Sequence, residues 1–257
     1  MDVEPLLAKA EFCLELGQYH EAIDIFTLVL SEDSENVDAL IGRGICRFKI
    51  LQYDTSIMDL RKAVSLDGDC SRAYYFLGRV YTSADQVNDA IQMFSRAIEI
   101  ENDDYLSYNR RAELYADLKE FNLAINDYSR GIEAGKGTDD SLYSRGLLWM
   151  EVEHWEEAIK DFLGVSEAFQ NRAILFFNLS IAEGKLGLIE EEIAHLIKSI
   201  NLNPIDWDAY LNLGLCYLEN DQISKAMETF KAIVDGDPDS LNATNALKFI
   251  SDINNQK

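Results

Sequence analysis

Positive charge is scarce in this chain: 23 Lys and Arg stand against 46 Asp and Glu, a formal net charge of −23. A sequence-independent nucleic-acid binder needs a basic face to displace counterions from phosphates. Docking on anionic lipid needs one too, so neither partner is expected. Proline (3) and glycine (14) are sparse, which disfavours an all-β chain with many turns and favours helix. No window approaches the roughly 18 uninterrupted apolar residues of a membrane span. The start, Met1-Asp2-Val3-Glu4-Pro5, lacks a basic n-region, so no secretory signal is read and the expected compartment is the cytoplasm. The four cysteines, Cys13, Cys46, Cys70 and Cys216, form no CxxC pair and read as reduced core fillers. Apolar residues are abundant instead: 47% hydrophobic and 11% aromatic, enough for a large core rather than disorder.

That apolar content is periodic. Offset by 34, the chain aligns with itself. Small residues recur at Ala10, Gly44, Gly78, Ala112, Gly146, Ser180 and Gly214. Twelve residues on, a second column holds Ala22, Ser56, Ala90, Ala124, Ala158, Glu192 and Ala226. Four further on comes a bulky column: Phe26, Leu60, Phe94, Tyr128, Phe162, Leu196 and Phe230. The spacing does not slip by one residue.

Within each copy two runs of apolar residues at helical spacing flank a short polar turn. In the third copy these are Tyr74, Leu77, Gly78 and Tyr81, then Val87, Ala90, Ile91, Phe94, Ala97 and Ile98, around Ser83-Ala84-Asp85-Gln86. Each copy is therefore a hairpin of antiparallel helices, with small residues where backbones cross closely and large ones filling the gap. One hairpin cannot bury its own apolar face, so the copies stack. The columns place copies at 3–36, 37–70, 71–104, 105–138, 139–172, 173–206 and 207–240. The remaining residues, 241–257, carry Ala243, Ala246, Leu247, Ile250 and Ile253 on one helical face and Asn242, Asn245, Lys248 and Asp252 on the other, as a terminal lid requires. The expected architecture is an all-α, right-handed superhelical α-solenoid, one domain over 1–257.

These columns resemble the tetratricopeptide repeat (TPR) family, with copies three and seven closest to its pattern; Tyr210, Leu213, Gly214, Tyr217, Ala226, Phe230 and Pro238 stand at its spacing. The family hosts scaffolds, chaperone adaptors and assembly subunits, so the resemblance speaks for the fold far more than for the function. Two positions depart. Glu192 stands where a tight crossing wants alanine, and Glu183 where an aromatic is usual, so copy six is expected to be looser or one carboxylate to have a partner.

Catalytic and metal motifs are not expected. Gly131-Ile132-Glu133-Ala134-Gly135-Lys136-Gly137-Thr138 has three residues, not four, between its first glycines, and Gly137 follows the lysine; it reads as a flexible turn, not a phosphate loop. His20, His154 and His195 fall in separate hairpins with no HExxH or Cys/His cluster. The glycosylation patterns at Asn178-Leu179-Ser180 and Asn242-Ala243-Thr244 lie in predicted helices and read as accidental. Glu190-Glu191-Glu192 is a solvated helix start favoured by the helix dipole. No cofactor, metal or catalytic residue is assigned.

The resemblance implies that the first helix of each hairpin lines an inner, concave surface along which partner peptides lie. Three positions before the first small residue stand Leu7, Ile41, Tyr75, Asn109, Tyr143, Phe177 and Leu211. One turn on stand Glu11, Ile45, Arg79, Glu113, Leu147, Ile181 and Leu215. The last three copies thus present Tyr143, Leu147, Phe177, Ile181, Leu211 and Leu215 as one apolar strip, which Met150 extends. Asn178 and Asn212 occupy equivalent positions on the same side, where the family's asparagines grip a peptide backbone. The strip reads as a partner-binding surface; the alternatives are self-association, an internal plug by the lid helix, or plain core. Arg72, Arg79, Asn109 and Arg110 form a basic cluster that either contacts an anion of the partner or neutralises Glu113. The lysine, asparagine and arginine clamp with which one branch of the family holds chaperone tails is not matched: Leu7 and Glu11, Ile41 and Ile45, or Tyr75 and Arg79 stand there instead. Copy one carries eight acids and one base, net −7, which favours a basic partner or simple solubility. The expected function is a non-catalytic interaction scaffold or adaptor that binds an extended or helical segment. The rivals are a self-associating structural subunit, making a homo-oligomer, and a chaperone-like cofactor without a clamp.

Overall fold

The computed structural model describes residues 3–255; the outermost residues of the expected 1–257 range lie outside it. Every regular element among the described residues is helical. The chain forms two compact units, Met1–Gly137 and Thr138–Lys257. In the first, α1 (Val3–Glu15) pairs with α2 (Tyr19–Glu32), α3 (Val37–Lys49) with α4 (Tyr53–Leu66), α5 (Ser71–Ser83) with α6 (Val87–Ile100), and α7 (Tyr105–Asp117) with α8 (Phe121–Gly131). In the second, α9 (Asp139–Glu151) pairs with α10 (Trp155–Leu163), α11 (Ala173–Lys185) with α12 (Ile189–Leu202), and α13 (Trp207–Glu219) with α14 (Ile223–Gly236); α15 (Leu241–Asn255) follows. The protein is an α-solenoid of helical hairpins.

The three columns explain the hairpins. In both units the bulky residue of the second helix meets the small residue of the first. A Cβ added at Gly44 would lie 2.8 Å from Leu60 Cγ, at Gly78 2.7 Å from Phe94 Cε1, at Gly146 2.5 Å from Phe162 Cε1, and at Gly214 2.3 Å from Phe230 Cε1. Phe26, Leu60, Phe94, Phe162, Leu196 and Phe230 are all fully buried. Ser56, in the second small column, donates to the Gly44 carbonyl at 2.7 Å and so satisfies its own hydroxyl at the crossing.

First helices in four hairpins start at a capping side chain: Asn36, Asp104, Thr138 and Asp206 accept from Ala39, Ser107, Ser141 and Ala209 backbone N–H groups. They end alike. Gly17, Leu51, Asp85, Lys119, Glu153, Gly187 and Asp221, spaced by 34, all have φ between 55° and 73°. The residue after each sends its N–H back five positions, as Gln52 does to the Arg47 carbonyl at 2.9 Å and Gln86 to Tyr81 at 2.9 Å. A left-handed residue followed by this bond is a Schellman close, which returns the chain sharply for the second helix.

A polar column runs at 16-residue spacing between paired helices. Arg43 Nε and Nη2 donate to Asp59 Oδ2 and Oδ1 at 2.9 and 2.7 Å, and Arg47 adds a third bond at 2.6 Å. Arg111 clasps Asp127 (2.7 and 2.8 Å) and Arg145 clasps Asp161 (2.7 and 2.6 Å) in the same two-pronged way. Arg43 also reaches Thr27, and Arg111 reaches Ser95, each in the preceding hairpin. Bidentate geometry with buried aspartates gives these pairs a fixed register that a lone surface pair lacks. Copy three carries the apolar Leu77 and Met93 at these positions.

Two segments depart from the ideal copy. Residues expected to form a flexible turn after α8 continue instead as one wide helical turn, Ile132–Lys136, broken by Gly135 at φ 77°. α10 stops at Leu163, and a loop with a short tight turn, Phe169–Asn171, tucks Val165 and Phe169 into the core. All four cysteines are unbonded, with Cys13, Cys46 and Cys216 buried. Among the described residues no helix is long and apolar enough to cross a membrane.

Candidate functional site

In the second unit, α9, α11 and α13 carry the apolar strip. Tyr143, Leu147, Met150, Phe177, Ile181, Leu211 and Leu215 are each half-buried, rooted in the core with part of the side chain outside. The equivalent pair on α3, Ile41 and Ile45, is buried. Tyr143 is anchored by its neighbours. Its ring lies 5.7 Å from Phe162 and 5.4 Å from Phe169, and its hydroxyl accepts from Asn178 Nδ2 at 2.9 Å. Burial pushes its phenol above the ordinary value, against the Asn178 bond and the nearby Arg172, so it stays neutral. Asn178 is thereby engaged between hairpins, whereas Asn212, half-buried at the next equivalent position, has no side-chain partner among the described residues. Phe177, Leu211 and Leu215 pack around Leu213, Tyr217 and Leu196. α15 packs on α14, where Phe249 stacks on Phe230 at 5.2 Å, and Asn242 Nδ2 donates to Asp208 Oδ1 at 3.0 Å.

The residues of the basic cluster, all in the first unit, point to separate partners. Arg79 lies over the rings of Phe48, Tyr75 and Phe76 at 5.2–5.7 Å. Arg110 pairs with Glu113 at 2.8 Å. Asn109 turns toward α8, its Oδ1 3.0 Å from where a Gly131 Cβ would stand. Arg72 is exposed at the start of α5. Arg79, Arg110 and Glu113 nonetheless share a hollow of about 150 Å³ with Phe48, Thr82, Ser83 and Phe94.

Copy six resolves its two misfit carboxylates by pairing. Glu183, only 3% exposed, has both oxygens 2.8 Å from His195 Nδ1, and the imidazole stacks on Phe176 at 5.7 Å. Glu192 sits against Gly184, whose added Cβ would lie 2.7 Å from Oε1. Burial holds the Glu192 carboxyl above its ordinary value; the Cys216 thiol pulls it back, while Glu219 and Glu183 push it further up. A carboxyl whose native value exceeds its unfolded value binds its proton more tightly when folded, so its ionised form weakens the fold. That penalty is absent in acid, where both states are protonated, and complete above the native value. Glu192→Gln is therefore expected to raise the melting temperature at pH 7. The gain should shrink as the pH falls through the carboxylate range, in thermal melts from pH 7 to 4; a gain unchanged down to pH 4 contradicts this origin.

The 34-residue register, the small-against-large crossings and the Schellman closes have a counterpart among known proteins: tetratricopeptide repeat profiles match residues 3–36, 71–104, 105–134 and 195–228. The chain belongs to the tetratricopeptide repeat family. No curated protein matches it in sequence. Solved TPR structures do match. The C-terminal part of a TPR repeat-containing protein from Cytophaga hutchinsonii superposes with TM-score 0.76 at 19% identity, covering 94% of this chain and 99% of its own. YrrB, described as a TPR protein with an unusual peptide-binding site, gives 0.67 at 20% identity, over 74% of this chain and 97% of its own. MamA gives 0.55 at 28% identity, over 59% and 89%. At such identities these likenesses concern the fold; the Arg–Asp clasps and the Glu183–His195 pair belong to this TPR chain's own sequence.

Proposed function

We propose that this TPR protein is a non-catalytic interaction module that holds an extended or helical segment of a protein partner along the first helices of its second unit. The seven copies and the lid at 241–257 serve as its frame. One observation carries the reading: Leu147, Phe177, Ile181, Leu211 and Leu215, at corresponding positions of three hairpins, remain half-exposed where Ile41 and Ile45 are buried. Apolar groups left partly in water at regular spacing gain by being covered, about 1.5–3 kcal/mol for a large side chain fully enclosed. Two or three such anchors, set against association costs of several kcal/mol, give affinity on the order of micromolar. Asn212 supplies an amide for the partner's backbone, while Tyr143 and Asn178 support the floor. YrrB, a TPR protein with a peptide-binding site, supports a peptide ligand over a small molecule.

The test is capture from native lysate by the wild-type chain and by Phe177→Ser with Leu211→Ser, followed by mass spectrometry. The expected result is a set of captured proteins lost from the variant at unchanged helicity. Identical capture by both overturns the reading.

A further inference from the structure

Between the first two hairpins, α2, α3 and α4 wall a hollow of about 420 Å³ lined by Thr27, Leu30, Leu40, Arg43, Met58 and Lys62 among others. The repeat register explains it. Leu40, only 1% exposed, stands at the position that holds a ring in four later copies: Tyr74, Tyr108, Phe176 and Tyr210. A leucine stops short of the space that those rings reach. On the α2 wall Thr27 stands where α4 carries the longer Arg61, so that side is low as well. The neighbours of the rings in the other copies show what such a place is furnished for. Lys198, at the position of Lys62, lies over the Phe176 ring at 5.1 Å. Arg111, at the position of Arg43 and clasped to Asp127 as Arg43 is to Asp59, lies over the Tyr108 ring at 5.9 Å. Arg96, again at the position of Lys62, lies beside the Tyr74 hydroxyl. Copy two keeps both cations and lacks the ring. Copy five also has a leucine, Leu142, but Gly164 replaces the cation there.

We infer that this hollow seats an aromatic side chain, tyrosine or phenylalanine, carried by a partner protein. The ring enters over Leu30 and Leu40, with Lys62 and Arg43 facing it as Lys198 and Arg111 face theirs. Lys62 Nζ is steadied at the rim by donating to the Ser34 carbonyl at 2.6 Å, and Met58, 69% exposed, offers its thioether to a ring edge. A protein is the source rather than a free small molecule because the hollow is open. Thr27, Ser31, Met58 and Lys62 are all exposed, so it covers one ring, whereas a free ligand needs most of its surface enclosed. A second copy of this chain, at net −23, is repelled and so is the poorer donor. None of these residues belongs to the strip of the second unit, so neither reading rests on the other.

The experiment uses the full chain with carbon-13 labels on the methionine methyls, so that the NMR signal of Met58 reports on the hollow and that of Met150 on the strip. The probes are two end-blocked glycine–serine pentapeptides, one with tyrosine and one with leucine at the centre, and 4-methylphenol, the tyrosine ring as a free molecule. The tyrosine peptide is expected to shift Met58 and to saturate on the order of millimolar, as a single anchor allows, with the leucine peptide at least about fivefold weaker. In Leu40→Tyr the chain's own ring takes the seat, so binding of the tyrosine peptide should be lost. Lys62→Ala, at an exposed side chain, should weaken it at least about threefold with an unchanged melting temperature. Equal binding of the two peptides overturns the inference, as does a shift of Met150 in place of Met58, or undiminished binding by either variant. So does a response to 4-methylphenol without one to the tyrosine peptide, which would make the hollow a small-molecule site. A dimer in light scattering that Leu40→Tyr dissolves overturns it too, since a second copy would then be the occupant.

Discussion

Arg111→Leu is expected to destabilise the protein by roughly 3 kcal/mol, Asp127→Met by a similar amount, and the two together by little or nothing. The reason lies in what each single change strands. Asp127 is buried and both its oxygens accept from Arg111 at 2.7 and 2.8 Å, so removing the guanidinium leaves an ionised carboxylate in a site with little water. Removing the aspartate strands a mostly buried guanidinium whose remaining clasp is Ser95. Breaking a buried pair on one side costs about 3–5 kcal/mol, whereas exchanging the whole pair for apolar residues of similar volume is often neutral or better. The chain makes that exchange itself: copy three packs Leu77 and Met93 in the same register. A double-mutant cycle by urea unfolding measures the coupling. Additive losses would show that Arg111 and Asp127 stabilise through other contacts.

Phe230→Ala should cost about 4 kcal/mol and loosen α15. The ring is fully buried, rests on the bare backbone of Gly214, and stacks on Phe249 at 5.2 Å. Truncating a buried phenylalanine costs about 3–5 kcal/mol, more where the cavity cannot collapse. On the side of Gly214 there is no side chain to move in. Loss of the Phe249 stack weakens the hold on α15, so hydrogen exchange over 241–255 should speed up beyond the global change. A loss below about 1 kcal/mol, or uniform exchange, contradicts the packing described.

The frame was legible because it repeats. A column such as Phe26, Leu60, Phe94 needs only counting, and its physical cause, one ring filling the gap above one small residue, is the same each time. The Arg43, Arg111, Arg145 column with Asp59, Asp127, Asp161 was equally countable, but a charge on either helix of a pair reads as surface until the partner helix is in place. Glu183 is a misfit in the sequence whose partner is hidden there: His195 stands in the register of Asp59, Asp127 and Asp161 but is a different residue type, and the two meet only when α11 and α12 cross. The early stop of α10 has only Gly164 at its C-cap as a mark in the sequence, and the burial of Val165 and Phe169 beyond it shows only in the packed chain. In the candidate strip, residue identities followed from the register. Asn178's capture by Tyr143 did not, because a hydrogen bond between neighbouring hairpins depends on how closely they approach.

Each of the seven turns bends at one fixed register position through a left-handed residue, and only two of those residues are glycine. A single inserted or deleted amino acid there would rotate the second helix by about 100° and face its phenylalanine away from the waiting small residue. Gain or loss of 34 residues at once leaves every crossing intact. Such a chain lengthens or shortens by whole modules, as a zip does by whole teeth.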